Sequence, residues 1–233
     1  MSKGSLYAIT FTGIDGKTDI GELWDLQCKY PYVEWGVLVS QNWRTNGNRY
    51  FNPSMLSALD RGINLSAHMC GRIAREFVNG NINPFINWSK GRFDIFDRCQ
   101  LNVSKSNGVP EKFVQTDEMR ILFNQVILQQ KGVNDCGLFM NSKEDEKVSI
   151  LLDASGGNGI DTPIEILDAN PNLVGYAGGI NPENVESKLT YLLENVNGQF
   201  WIDMESGVRT DDWFDIEKVK QVLEICHKYV RGY

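Results

Sequence analysis

Strand-like and helix-like patches alternate along the whole chain, and that rhythm limits the available folds more than any other feature. Apolar runs at 6–12, 33–40, 63–70, 98–104, 125–130, 148–155, 173–179 and 199–206 read as strands. Segments with helix signals follow them at 18–30, 52–62, 71–80, 111–123, 182–196 and 215–230, with less regular candidates at 133–145 and 162–170. In 18–30, Thr18 stands as the cap and Glu22 falls in the first turns. Val185, Leu189, Leu192 and Leu193 share one helical face; Ile216, Val219, Val222, Leu223 and Cys226 share another. The run 148–155 is almost continuously apolar, as a strand covered on both faces requires. Regular alternation implies a parallel sheet with helical crossovers, and about eight such units point to a closed (β/α)8 barrel. Residues 1–233 read as one TIM-barrel domain, with 81–97 as an insertion. A doubly wound open sheet is the alternative. In a barrel, the chemistry is expected in the loops after the strands.

Composition narrows the function. Hydrophobic residues make up 42% of the chain and charged residues 23%, enough apolar material for a core. A formal net charge of −7 argues against tracking a nucleic-acid backbone or lying on an anionic membrane, but leaves room for a local basic spot. Cys28, Cys70, Cys99, Cys136 and Cys226 are scattered and form no C-x-x-C pair, so free thiols in a reducing cytoplasm are expected. The opening residues carry no signal-peptide pattern, and no run approaches the roughly 20 apolar residues of a transmembrane helix. No metal-ligand spacing, Walker loop or dinucleotide fingerprint is present, and "GGNG" at 156–159 is not G-x-G-x-x-G. Neither a metal nor a cofactor is expected. Monomer and homodimer both stay open.

Glycines at a strand-to-helix joint can free backbone N–H groups to face an anion. "YAGGINPENV" (176–185) has that form, with Gly178, Gly179 and then a helix opening at Asn181 and Pro182. Together with "LLDASGGNG" (151–159) and "IDMESGVRTDDWFD" (202–215), it resembles the last three strand–loop units of phosphoribosylanthranilate isomerase. That family is a (β/α)8 barrel of tryptophan biosynthesis. The likeness is close over 148–230, fainter over 6–50 and least over 80–147. It implies a phosphate site around Gly157, Gly178, Gly179, Ser206 and Gly207, with the helix dipole adding to it. It also implies that Asp153, at the end of the sixth strand, is the general acid that opens a ribose ring. The alternative for Asp153 is a carboxylate that anchors the glycine loop. Asp203 matches a family aspartate as well, and reads as structural because it lies within a strand.

The chain departs from the family at its first strand. Where the family carries a cysteine base before glycine, Thr12 precedes Gly13, and a hydroxyl is a far poorer base than a thiolate. Asp15 is a candidate replacement. His68, at the rim end of the third strand, is a second candidate, as base or phosphate donor. The second loop, 40–53, is longer than the family's and offers Arg44 and Arg49 for an anionic group, with Trp43 and Tyr50 for stacking. Arg209 replaces a usual glutamate and, with Trp213, adds charge and an aromatic face to the rim. Two functions follow. One is an enzyme on a phosphorylated sugar, with an Amadori-type or aldose–ketose isomerisation. The other is a protein that binds or sequesters a phosphorylated, nucleotide-like ligand without turning it over.

Overall fold

The computed structural model describes residues 4–45, 47–59, 62–103, 115–133, 145–167 and 173–230. Eight parallel strands close into a barrel in chain order. They are β1 (Ser5–Thr12), β2 (Val33–Val39), β3 (Leu65–Cys70), β4 (Arg98–Asn102), β5 (Gln125–Gln130), β6 (Val148–Asp153), β7 (Val174–Ala177) and β8 (Gln199–Met204). The circle closes where β1 meets β8, with Thr10 opposite Asp203 and Phe11 opposite Met204. On the other side of β1, Thr12 lies opposite Gly36 of β2.

Helices cover the outside: α1 (Ile20–Lys29), α2 (Gly71–Val78), α3 (Asn83–Ser89), α4 (Asp117–Leu122), α5 (Val185–Asn195) and α6 (Ile216–Cys226). Their buried stripes follow the helical period, as with Val185, Leu189 and Leu192 on α5 and Val219, Val222, Leu223 and Cys226 on α6. These pack on the outward-facing strand residues, such as Leu65, Ala67 and Met69 of β3 and Phe200, Ile202 and Met204 of β8. The opposite residues face the barrel interior. A small apolar group there joins Ile127, Leu151, Ala177 and Trp201.

Several local expectations are corrected. The cap of α1 is Asp19, whose side chain accepts from Gly21 N; the Thr18 hydroxyl instead accepts from Asp15 N. The short helix expected at 52–62 is a 3₁₀ helix over 53–58. The helix expected at 162–170 is not formed over 162–167, and its remaining residues lie outside the described ones. The helix expected at 133–145 falls almost wholly outside them. The stretch 81–97, expected as an insertion, holds α3 and a 3₁₀ turn, with Phe85, Trp88, Ile95 and Phe96 buried.

One element was read only as loop. β9 (Arg209–Thr210) and β10 (Trp213–Phe214) form a hairpin after β8. Its turn residues Asp211 and Asp212 take φ of 51° and 61°, as a type I′ turn demands.

Candidate functional site

The C-terminal ends of the strands surround a cavity of about 440 Å³, a size suited to a small molecule. Gly157, Gly178, Gly179, Ser206 and Gly207 line it, together with Thr12, Arg49, His68 and Asp153. The glycine loops interlock backbone to backbone. Gly179 has φ +65°, and a Cβ there would sit 2.4 Å from Asp161 N. A Cβ on Gly207 would sit 1.9 Å from the Ile180 carbonyl oxygen. Packing alone therefore demands glycine at both positions.

The donors at the start of α5 are taken within the chain, with Asn181 capping them. Asn181 Oδ1 accepts from Glu183 N at 2.9 Å and Asn184 N at 3.0 Å, and its carbonyl accepts from Val185 N. Other donors are left over. The N–H groups of Gly179, Ile180, Ser206 and Gly207 meet no acceptor among the described residues. The last two open a one-turn 3₁₀ helix, Ser206–Val208, whose first donors have no partner of their own. Four such donors belong to residues on one side of the cavity, an arrangement suited to an anion.

Asp153 has both carboxylate oxygens engaged. Oδ1 accepts from Ser155 N and Ser155 Oγ at 3.1 and 2.7 Å, and Oδ2 from Gly157 N and Gln129 Nε2 at 2.6 and 2.8 Å. This is the geometry of an anchor for the glycine loop. Asp15 does not line the cavity. It is 1% exposed, and its carboxylate accepts from Lys17 N at 2.9 Å, Phe214 N at 2.7 Å and Arg209 Nη2 at 3.0 Å. Arg209 also donates to the Gly13 carbonyl. The pair fastens the β1 loop to the hairpin, so Arg209 adds no free charge to the rim.

At the first strand, the Thr12 hydroxyl donates to Asp203 Oδ1 at 2.8 Å and lies 3.3 Å from His68 Nδ1. Burial lowers the His68 imidazole to about 4, so the ring is neutral at pH 7. Burial raises the Asp203 carboxyl to about 8, so it carries a proton at neutral pH. The neighbouring Cys70 thiol is pushed by burial to about 12, which leaves it no nucleophile.

The aromatic and basic residues of loop 40–53 divide. Arg49 reaches the cavity edge but is held by Glu205 at 2.8 Å and by Asp212. Tyr50 lines the cavity. Arg44 does not; it is exposed and lies over the Trp43 ring, 4.8 Å from its centroid. Trp43 packs on the outer core, and Lys17 covers the Trp213 ring.

Residues 115–225 match the family model described as N-(5'phosphoribosyl)anthranilate (PRA) isomerase. That match spans just under half of the chain, and the fold of the whole is a closed (β/α)8 barrel. Solved structures that resemble this barrel include the phosphoribosyl anthranilate isomerase from Thermus thermophilus, at 17% identity and a TM-score of 0.57 over 95% of this chain and 98% of that one. TrpF from Jonesia denitrificans matches at 15% identity and a TM-score of 0.55, over 95% and 97% of the two chains. The N-(5'-phosphoribosyl)anthranilate isomerase from Pyrococcus furiosus matches at 17% and 0.53, over 95% and 98%. At such identities the likeness establishes the fold. No curated protein sequence matches the chain.

The barrel also places in its cavity residues that the sequence did not single out. Gln100 and Asn102 come from β4, Gln129 from β5, Lys131 from just beyond it and Glu205 from just beyond β8. Lys131 has no carboxylate within ion-pair distance among the described residues. Position alone could have found it, because the residues that end barrel strands face the rim. Among the described residues, no His, Cys, Asp and Glu cluster is arranged to hold a metal ion. No helix among them is long and apolar enough to cross a membrane.

Proposed function

We propose that the protein binds a phosphorylated sugar of the phosphoribosyl type in this cavity and acts on it as a phosphosugar isomerase. The observation that carries the reading is the set of N–H groups at Gly179, Ile180, Ser206 and Gly207 that meet no acceptor among the described residues. They supply donors for a phosphate without any side-chain charge, and Lys131 offers a cation for a second anionic group. The structural relatives are isomerases of a phosphoribosyl compound, which matches that chemistry. The unpaired Cys28, Cys70, Cys99 and Cys226 fit action in the cytoplasm.

The test is a titration of the labelled protein with ribose 5-phosphate and with inorganic phosphate, followed by amide NMR. The largest shifts are expected at Gly179, Ile180, Ser206 and Gly207. Shifts confined to other amides, or none, contradict the reading. A second reading, binding without turnover, draws on the engaged carboxylates of Asp15 and Asp153 and on Thr12 in the place of a cysteine. Mass spectrometry of the co-purifying small molecules separates the two. A phosphorylated ligand released unchanged after long incubation favours the binder, and its conversion favours the enzyme.

A further inference from the structure

Three carboxyls line this cavity: Glu205 is held by Arg49, while Asp153 on β6 and Asp203 on β8 are bound in opposite ways. Asp153 has four donors on its two oxygens. Asp203 has one donor, Thr12, on Oδ1, and its Oδ2 accepts no hydrogen bond among the described residues. Both residues line the cavity. A group that must give and take a proton needs an unengaged oxygen facing the reactant. Asp203 has one and Asp153 has none.

We propose that Asp203 is the proton-transferring residue of this cavity, and that Thr12 and His68 position it through one hydrogen-bonded chain. The proposal rests on the phosphosugar reading above. The Thr12 hydroxyl has one proton and two buried neighbours. When it donates to Asp203 Oδ1, it accepts from His68 Nδ1; when protonated Asp203 donates to it, it donates to Nδ1. The other ring nitrogen, His68 Nε2, is buried and has no hydrogen-bond partner among the described residues. It lies 3.1 Å from where a Cβ on Gly36 would sit, and that Cβ would also come within 2.5 Å of Thr12 Oγ1. Glycine at this point of β2 is thus what lets imidazole and hydroxyl meet. The charges that face Asp203 are Glu34 and Arg98 from inside the barrel and Glu205 and Asp153 from the rim. Burial, with the three carboxylates adding to it, keeps a proton on Asp203 near neutral pH, where such a group works best in both directions.

The reaction balances with this one group. For a sugar with nitrogen at C1, or with a hydroxyl there as in ribose 5-phosphate, protonated Asp203 gives its proton to the ring oxygen. The bond from C1 to the ring oxygen breaks with its pair left on that oxygen, and the lone pair of the C1 nitrogen or hydroxyl oxygen closes a double bond to C1. Ionised Asp203 then takes the proton from C2. The C–H pair becomes the C1=C2 bond, and the pair of the first double bond returns to the C1 nitrogen or oxygen. Asp203 is protonated again. The neutral enaminol relaxes to the ketone by moving its hydroxyl proton to C1, and the neutral enediol of ribose 5-phosphate, on reversal, takes up at C2 whatever proton or deuteron Asp203 then holds.

Exchange of solvent deuterium into C2 of ribose 5-phosphate tests this without requiring net turnover, and thermal shift with the same compound reports binding. Wild type should exchange. Asp203→Asn should lose exchange by about 100-fold or more while it keeps binding. Asp153→Asn should weaken binding and keep exchange in the bound fraction. Carbon NMR of the aspartate carboxyls should show Asp203 titrating near pH 8, moved by about one pH unit in Thr12→Val and restored in Thr12→Ser. If ribose 5-phosphate does not bind, the reading beneath the proposal falls and the proposal with it. If it binds to wild type without exchange, or if Asp203→Asn still exchanges, the proposal alone is overturned.

Discussion

Around one hydroxyl, two buried titratable groups pull stability in opposite directions with pH. Burial raises the Asp203 carboxyl from 3.8 to about 8. Between those values the folded chain holds a proton that the unfolded chain has released, so stability falls as pH rises through that window. Burial lowers the His68 imidazole from 6.5 to about 4. Between those values the unfolded ring takes up a proton that the folded one refuses, so stability falls as pH drops through that window. Asp203→Asn removes the first slope and leaves the second. Calorimetry should therefore find the variant gaining on wild type steadily from about pH 5 to about pH 8.5; a constant offset across that range would contradict the assignment. Thr12 stands out in the sequence because it takes the place of a family cysteine, and His68 because it ends a strand. Asp203 matches a family aspartate but reads as structural, because nothing along the chain shows that its two oxygens meet such different surroundings.

Among elements, the hairpin after β8 carries the most tension between sequence and structure. Arg209 looked like a rim cation, yet its side chain is 3% exposed and its guanidinium meets Asp15 and the Gly13 and Asp212 carbonyls. Truncating one member of a buried pair leaves the other charge uncompensated, at a cost of about 3–5 kcal/mol. Urea unfolding of Arg209→Met should show a loss of that order, and Asp15→Leu in the same chain should recover much of it. A loss within about 0.5 kcal/mol would mark Arg209 as an ordinary surface residue. Elements with their own signal were readable: all eight strands fall on the apolar runs, and α5 and α6 keep their predicted faces. Elements set by tertiary contact were not. Residues 162–167 carry helix formers such as Glu165 and Leu167, but the chain there runs beside α5, where the Lys188 ammonium donates to the Thr162 carbonyl. The Asp19 cap and the type I′ hairpin likewise depend on loop paths that local pattern does not specify.

On the scale of the whole molecule, the unexpected feature is the inside of the barrel. Bulky branched residues usually fill such an interior, and in the sequence the strands read simply as apolar runs. Inward positions instead hold Thr10, Glu34, Ser66, His68, Arg98, Gln100 and Asp203, all but Arg98 nearly sealed from solvent. Arg98 reaches from β4 past β3 to Glu34 on β2, a path open only through the interior. It donates from Nε to Oε2 at 2.6 Å and from Nη2 to Oε1 at 2.8 Å, while Thr10 and Gln125 complete the network. Burial opposes charge on Glu34, yet the guanidinium holds its carboxyl below the ordinary range. The polar floor beneath the cavity is thus fixed by a two-pronged pair whose members compensate each other. Glu34→Leu alone should cost about 3–5 kcal/mol, because Arg98 then stays charged and buried without its partner. Glu34→Leu with Arg98→Met should return most of that loss, since a well-packed apolar pair removes the desolvation of both charges. A double-mutant cycle by denaturant unfolding reads the coupling directly. If the single and double variants lose equal stability, the pair is not what holds the barrel floor, and packing around the Trp201 ring, over which Arg98 lies, must hold it instead.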